Sequence, residues 1–257
     1  MNAVVLTLRQ GRYENRAFWR NPAAAFFTFV FPLMFLVIFN VVFGDSEIEV
    51  EGGSVDTSTF YVPAIVALSV ISACYTNVAM RIAFSRDAGV LKRVRGTPLP
   101  AVAFLLGRIL QATSVALLLV VIVIGAGVVF YGVDAPTDRL PAFVVTLLVG
   151  AAAFCALGLA ISALIPNADA APAVVNASVL PLLFISNVFI PTESAPAWLN
   201  DFASLFPVVH FAGALHTAFS PFTTGAGFEV KGLLVMALWG LLGLALSVRY
   251  FSWEPRR

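Results

Sequence analysis

Few residues in this chain are equipped for chemistry. They are two histidines, His210 and His216, two cysteines, Cys74 and Cys155, and fourteen carboxylates. A histidine beside a nucleophile and a base would make a hydrolase, but neither histidine has such neighbours. Cysteines grouped with one another or with histidines would make a disulfide or a metal centre. Cys74 and Cys155 instead stand singly in apolar runs. There is no G-x-x-x-x-G-K-[S/T] loop, so ATP is not bound by that device. No catalytic residue, no metal ligand and no bound cofactor are expected.

The polar pattern is basic and clustered. Arg9, Arg12, Arg16 and Arg20 recur at spacings of three and four. On a helix at 100° per residue they fall within about 80° of one another. Val4, Leu8, Phe18 and Trp19 share another face, interrupted by Gly11 and Asn15. This predicts an amphipathic helix at a membrane surface, arginines toward lipid phosphates; the alternative is basic charge without a defined helix. Asn21-Pro22 reads as the break after it. A second basic segment is RIAFSRDAGVLKRVRGTPLP, residues 81–100. Gly89, Gly96 and Pro98 punctuate a short helical stretch around 85–95. It holds Arg86, Asp87, Leu91, Lys92, Arg93 and Arg95. The choice is a docking helix or a solvated loop.

The elements around these segments are set by composition. Of 257 residues, 60% are hydrophobic and 11% charged, and mean hydropathy is +0.94. A soluble domain carries about 45–50% apolar and about 25% charged residues. A soluble enzyme, a nucleic-acid binder, a disordered chain and a collagen-like fibre are excluded. A bilayer core of about 30 Å needs about 20 apolar residues in a helix. Six stretches qualify: 24–43, 59–80, 107–130, 141–165, 172–190 and 231–250. Arg108, Lys231 and Arg249 sit at span ends, where they can reach the interface. No signal peptide is expected, because the first apolar run is too long and lacks a cleavage site.

Residues 196–220 are a seventh apolar stretch, broken by Asp201, Pro207, His210 and His216. Two short helices dipping into the membrane from one side fit it better than a span; the alternative is an amphipathic helix lying flat. The fold class is therefore all-α integral membrane. It has six transmembrane helices, an N-terminal amphipathic interfacial helix (1–22) and an outer re-entrant helical hairpin (191–230) before the last span. The whole of 1–257 reads as one transmembrane domain.

Placed on this topology, 13 of the 15 basic residues fall on one side and ten of the fourteen acids on the other. Basic loops stay cytoplasmic, so both termini are expected in the cytoplasm. No Asp, Glu, Lys or Arg lies mid-span, which counts against ion-coupled transporters and channels. Milder polar residues do enter spans two and five, among them Tyr75, Asn77, Asn176, Ser186 and Asn187. They either bond helix to helix or line a path for an amphipathic substrate. Pro32 and Pro181 should kink spans one and five. The small residues of span four, from Gly150 to Ala160, predict close packing.

In this order, with the loop R-D-x-G-x-L-K-R-x-R-x-T-P-L-P, the chain resembles the membrane subunit of type-2 ABC exporters, in its drug- and lipid-exporter branch. Many members carry a glutamate just before the glycine; here the acid is Asp87. The segment Pro191 to Phe219 resembles that branch's outer hairpin, with Trp198, Phe202 and Pro207 at the outer gate. The resemblance implies a permease in a bacterial-type plasma membrane. It would pair with a second permease half, identical or not, and with two copies of a cytoplasmic ATPase that holds ATP and Mg. Arg86, Asp87, Gly89, Leu91, Lys92, Arg93 and Arg95 would form the ATPase-coupling segment. Spans two and five would open a path for a drug-like or lipid-like molecule. The competing reading is a non-transporting scaffold or sensor subunit that anchors a cytoplasmic partner.

Overall fold

The computed structural model describes residues 3–44, 46–50, 52–97, 99–189 and 196–252. Asp45, Glu51, Pro98, the hairpin stretch 190–195 with Pro191 and Glu193, and the terminal Glu254, Arg256 and Arg257 lie outside the described residues. The architecture is all-α, with one small ribbon. Helix α1 (Ala3–Trp19) is followed by α2 (Pro22–Phe43). Pro22 opens α2, since a missing N–H costs nothing in the first turn of a helix. Strands β1 (Glu47–Val50) and β2 (Gly53–Asp56) pair antiparallel, Glu47 opposite Asp56. Val55 is buried against Phe60, Tyr61 and Ala64, so the ribbon seals one end of the bundle.

The next helix is the hub. It runs from Thr57 to Asp87 as α3 (Thr57–Ile71), a π-helical turn (Ser72–Thr76) and α4 (Asn77–Asp87). At 1.5 Å per residue it is about 46 Å long. Helices α2, α6, α7, α8 and α10 surround it, so it is buried almost all round. Gly89, at φ +66°, ends it: such a φ is easy only for glycine. The chain then turns into the short α5 (Val90–Arg95). The helix expected around 85–95 is thus two pieces, with Arg86 and Asp87 on the end of the hub rather than on α5.

Helices α6 (Ala101–Tyr131) and α7 (Leu140–Ser162) follow. α8 (Ala171–Phe184) has 14 residues, about 21 Å, and cannot cross a bilayer alone. The helical part of the expected span 172–190 is thus shorter than the span itself and ends at Phe184. Asn187 adopts φ 56° beyond the end of α8, a left-handed conformation that no helix continues. α9 (Ala197–Ala203) and α10 (Pro207–Phe219) are bent by 98° to each other, and α11 (Val230–Tyr250) closes the fold. Among the described residues, five helices are long and apolar enough to cross a membrane, and the bent pair would make a sixth. Pro32 and Pro181 lie within helices whose assignment continues through them.

Small residues decide how closely the hub and α11 approach α7. A Cβ on Gly158 would stand 2.7 Å from the Tyr75 carbonyl oxygen; one on Gly243 would stand 2.9 Å from the Ala156 carbonyl carbon. Backbone cannot step aside as a side chain can. Gly158→Leu is expected to lower thermal stability in detergent by about 3 kcal/mol or more. Gly125→Ala, where a Cβ meets nothing within 4 Å, should not lower it.

Candidate functional site

Three features gather around the hub: a basic projection at one end, a charged node beside it, and a groove along its flank. The projection is α5. Leu91 is buried and anchors it, while Lys92, Arg93 and Arg95 are exposed. Its base is a clamp. Arg86 is 1% exposed and donates to the carbonyl oxygens of Ser162, at 3.1 Å, and Ile165. The Asp87 carboxylate accepts from the Ala168 N–H. All three partners lie where α7 ends and the chain turns toward α8. A side chain this buried cannot touch a docking protein, so any part Arg86 has in coupling acts through the fold.

The node joins α1, α4 and α6. A Cβ on Gly107 would stand 2.6 Å from Gln10 Cγ, and one on Gly11 3.0 Å from Leu110 Cδ2. At this crossing, Gly11, which breaks the apolar face of α1, is its contact point. Glu14 then sits 3.3 Å from Arg108 Nε and 3.9 Å from Arg81 Nη1. Gln10 donates to Glu14 at 3.0 Å, and Arg108 donates to the Ser85 hydroxyl at 2.8 Å. Arg108 therefore does not reach the interface, as a span-end arginine would; it is 7% exposed and stacks 5.0 Å from the Phe104 ring centroid. Sequence reasoning missed Glu14, Arg81 and Arg108 as a group. The available signal was that Glu14 is the only acid in the first 44 residues. Arg9, Arg12, Arg16 and Arg20 are all exposed, with Val4, Leu8 and Trp19; Phe18 is buried.

The groove has a volume of about 1180 Å³ and runs along α2, the hub and α8. Phenylalanines 27, 31, 35, 39, 184 and 189 dominate its walls, and Asn77 and Asn176 line it. Tyr75 does not. Two residues on a helix are about 200° apart, so Tyr75 faces away. Its hydroxyl is 2.6 Å from that of Ser178, beside a second cavity of about 360 Å³. Ser186 is buried and bonds the Leu183 carbonyl; the Asn187 carbonyl accepts from His216 Nε2 at 3.0 Å. Tyr75 and Asn187 join separate segments and Ser186 bonds within its own, and none of the three lines the groove. Of the expected gate residues, Trp198 and Phe202 are exposed, whereas Pro207 is buried at the start of α10 and borders the second cavity. Among the described residues, no group of three His, Cys, Asp or Glu side chains could hold a metal.

A bundle of apolar helices with a basic projection and a lateral groove is the architecture of an all-α membrane protein. The chain belongs to the ABC-2 type transporter family, whose pattern matches residues 9–220. It is similar to the probable doxorubicin resistance ABC transporter permease protein DrrC of Mycobacterium tuberculosis, 25% identical over 83% of this chain and 72% of that protein. It is similar to the probable multidrug ABC transporter permease YbhR of Escherichia coli, 25% identical over 62% of this chain and 43% of that protein. It is also 25% identical to the putative transport permease ycf38 of Pyropia yezoensis, over 74% of this chain and 65% of that protein. The chain thus spans less than two thirds of the length of these last two.

The clamp is testable by itself. Arg86→Ala would leave two buried carbonyls without their donor and open a cavity. A loss of about 3 kcal/mol is expected, read from detergent-solubilised unfolding. Lys92→Ala, on the exposed face of α5, should stay within about 0.5 kcal/mol.

Proposed function

We propose that this chain is the permease half of an ATP-driven exporter for amphipathic molecules. The observation that carries the reading is the geometry of α5: a basic helix turned off the hub at Gly89 and anchored by Leu91 and the Arg86–Asp87 clamp. The positive-inside rule assigns the end bearing α1 and α5 to the cytoplasm of a bacterial-type cell, with both termini there. Lys92, Arg93 and Arg95 meet a cleft of a separate ATPase, two copies of which hold ATP and Mg beneath two permease halves. Arg86 and Asp87 serve as positioning residues, passing displacement of α5 to the junction of α7 and α8. Helix α1, with its four arginines on lipid phosphates, rests beside the same partner.

The groove between α2, the hub and α8 is the transport path, completed by the facing half. Asn77 and Asn176 give its wall sparse hydrogen-bonding capacity, which suits amphipathic cargo. Trp198 and Phe202, exposed on α9, are the candidate outer gate. The relatives named for multidrug and doxorubicin resistance support efflux of this kind. A scaffold that only anchors a partner would need no such groove.

The test is charge reversal on α5. Lys92→Glu, Arg93→Glu and Arg95→Glu together should reduce transport and ATPase stimulation by about tenfold or more, with membrane insertion unchanged. The purified chain should hydrolyse no ATP until the ATPase is added. Full stimulation by the reversed variant, or ATP hydrolysis by the chain alone, would refute the reading.

A further inference from the structure

The groove is almost wholly apolar, yet one cation opens onto it. Arg81 is the single charged side chain among the described residues that line it. It stands at one end, beside Asn21, Asn77 and Phe84, while Phe43 and Ile48 mark the other. The α2 wall between them covers about 30 Å. Arg81 is incompletely neutralised. Its nearest acid, Glu14, is shared with Arg108 and lies closer to that residue, at 3.3 Å against 3.9 Å. Two guanidiniums therefore face one carboxylate. Arg81 Nη1, Arg108 Nη1 and Gln111 Nε2 are buried without a hydrogen-bond acceptor. Arg108 and Gln111 are themselves more than nine-tenths buried. The Arg81 side chain stays 24% exposed, open toward the groove that it lines. A surplus cation in a low-dielectric setting is costly unless an anion meets it.

Building on the export reading, we infer that the groove selects acidic amphipaths, holding a phosphate or carboxylate head at Arg81 and an apolar tail along the phenylalanine wall. The head sits at the cytoplasmic end, where a molecule leaving the inner leaflet would present it. Asn77 adds a hydrogen-bonding side chain beside the head, and Phe31, Phe35 and Phe39 flank the tail. At the far end, exposed Glu47 and Glu49 on the ribbon repel an acidic head, which favours release there. A cationic amphipath gains nothing at Arg81 and is repelled by it.

The test uses the full chain in phosphatidylcholine nanodiscs and fluorescent alkyl probes with one tail and three heads: phosphate, trimethylammonium and hydroxyl. The phosphate probe should bind about tenfold tighter than the trimethylammonium probe, as a charge-assisted contact implies. Arg81→Gln should erase that preference and leave the hydroxyl probe unaffected; Arg81→Lys should keep most of it. Millimolar inorganic phosphate should not displace the probe, since it lacks the tail. Equal binding of both charged heads, a preference that survives Arg81→Gln, or displacement by inorganic phosphate would each overturn the inference. If Arg81→Gln does not fold, the preference of the unmodified chain decides alone. No ATPase is needed, so failure here leaves the export reading intact, and failure of the charge reversal leaves this site intact.

Discussion

A guanidinium inside an apolar bundle must be met by oxygen atoms, and Arg86 finds them at the end of α7. The Ser162 carbonyl belongs to the negative pole of that helix end, where a cation is favoured, and the Ile165 carbonyl to the turn after it. Asp87 closes the clamp by taking the Ala168 N–H. Those carbonyls and that N–H would otherwise be orphans of a helix terminus and its loop. One pair of adjacent residues thus ties the end of the most buried helix to the turn between two others. The positions of α5 below it and α8 beside it both depend on this tie.

Charge sets the rest of that end. The net charge of +1 conceals a division: basic residues gather at the α1 and α5 end, and acids at the ribbon end. Within the basic end two acids are built into the fold. Glu14 balances Arg108 and part of Arg81, and Asp87 serves the clamp. The crossing of Gly11 over Gly107 is what lets Glu14 reach across from α1. A larger residue at either glycine would lift the acid away and leave two neighbouring cations without it.

Much of the fold was legible in the sequence, because hydropathy over 20 residues is a strong signal. The helices at 22–43, 101–131, 140–162 and 230–250 stand where apolar runs of that length stand. In the run 172–190 composition reports how apolar the segment is, not where its helix stops; α8 ends at Phe184, and Asn187 beyond it adopts a left-handed turn that hydropathy does not weigh. The site was less legible. Arg86 and Arg108 look like solvent- or lipid-facing charges until α7, α8 and α1 are brought against them. Tyr75 and Asn77 share a polar stretch, but helical periodicity puts them on opposite faces, and only the packing of α8 says which face borders the groove. The π turn beside them has no sequence signature to read.

In the proposed exporter Arg86 carries motion from α5 to the groove, and a distance across the groove mouth in the assembled complex reports that motion. Spin labels at Phe27 on α2 and Leu180 on α8, both exposed, report it by pulsed dipolar spectroscopy with and without ATP. If Arg86 carries the motion, ATP shifts the distance in the unmodified chain, and Arg86→Lys abolishes the shift while the ATPase still binds. An ATP-driven shift of the same size in Arg86→Lys would contradict it.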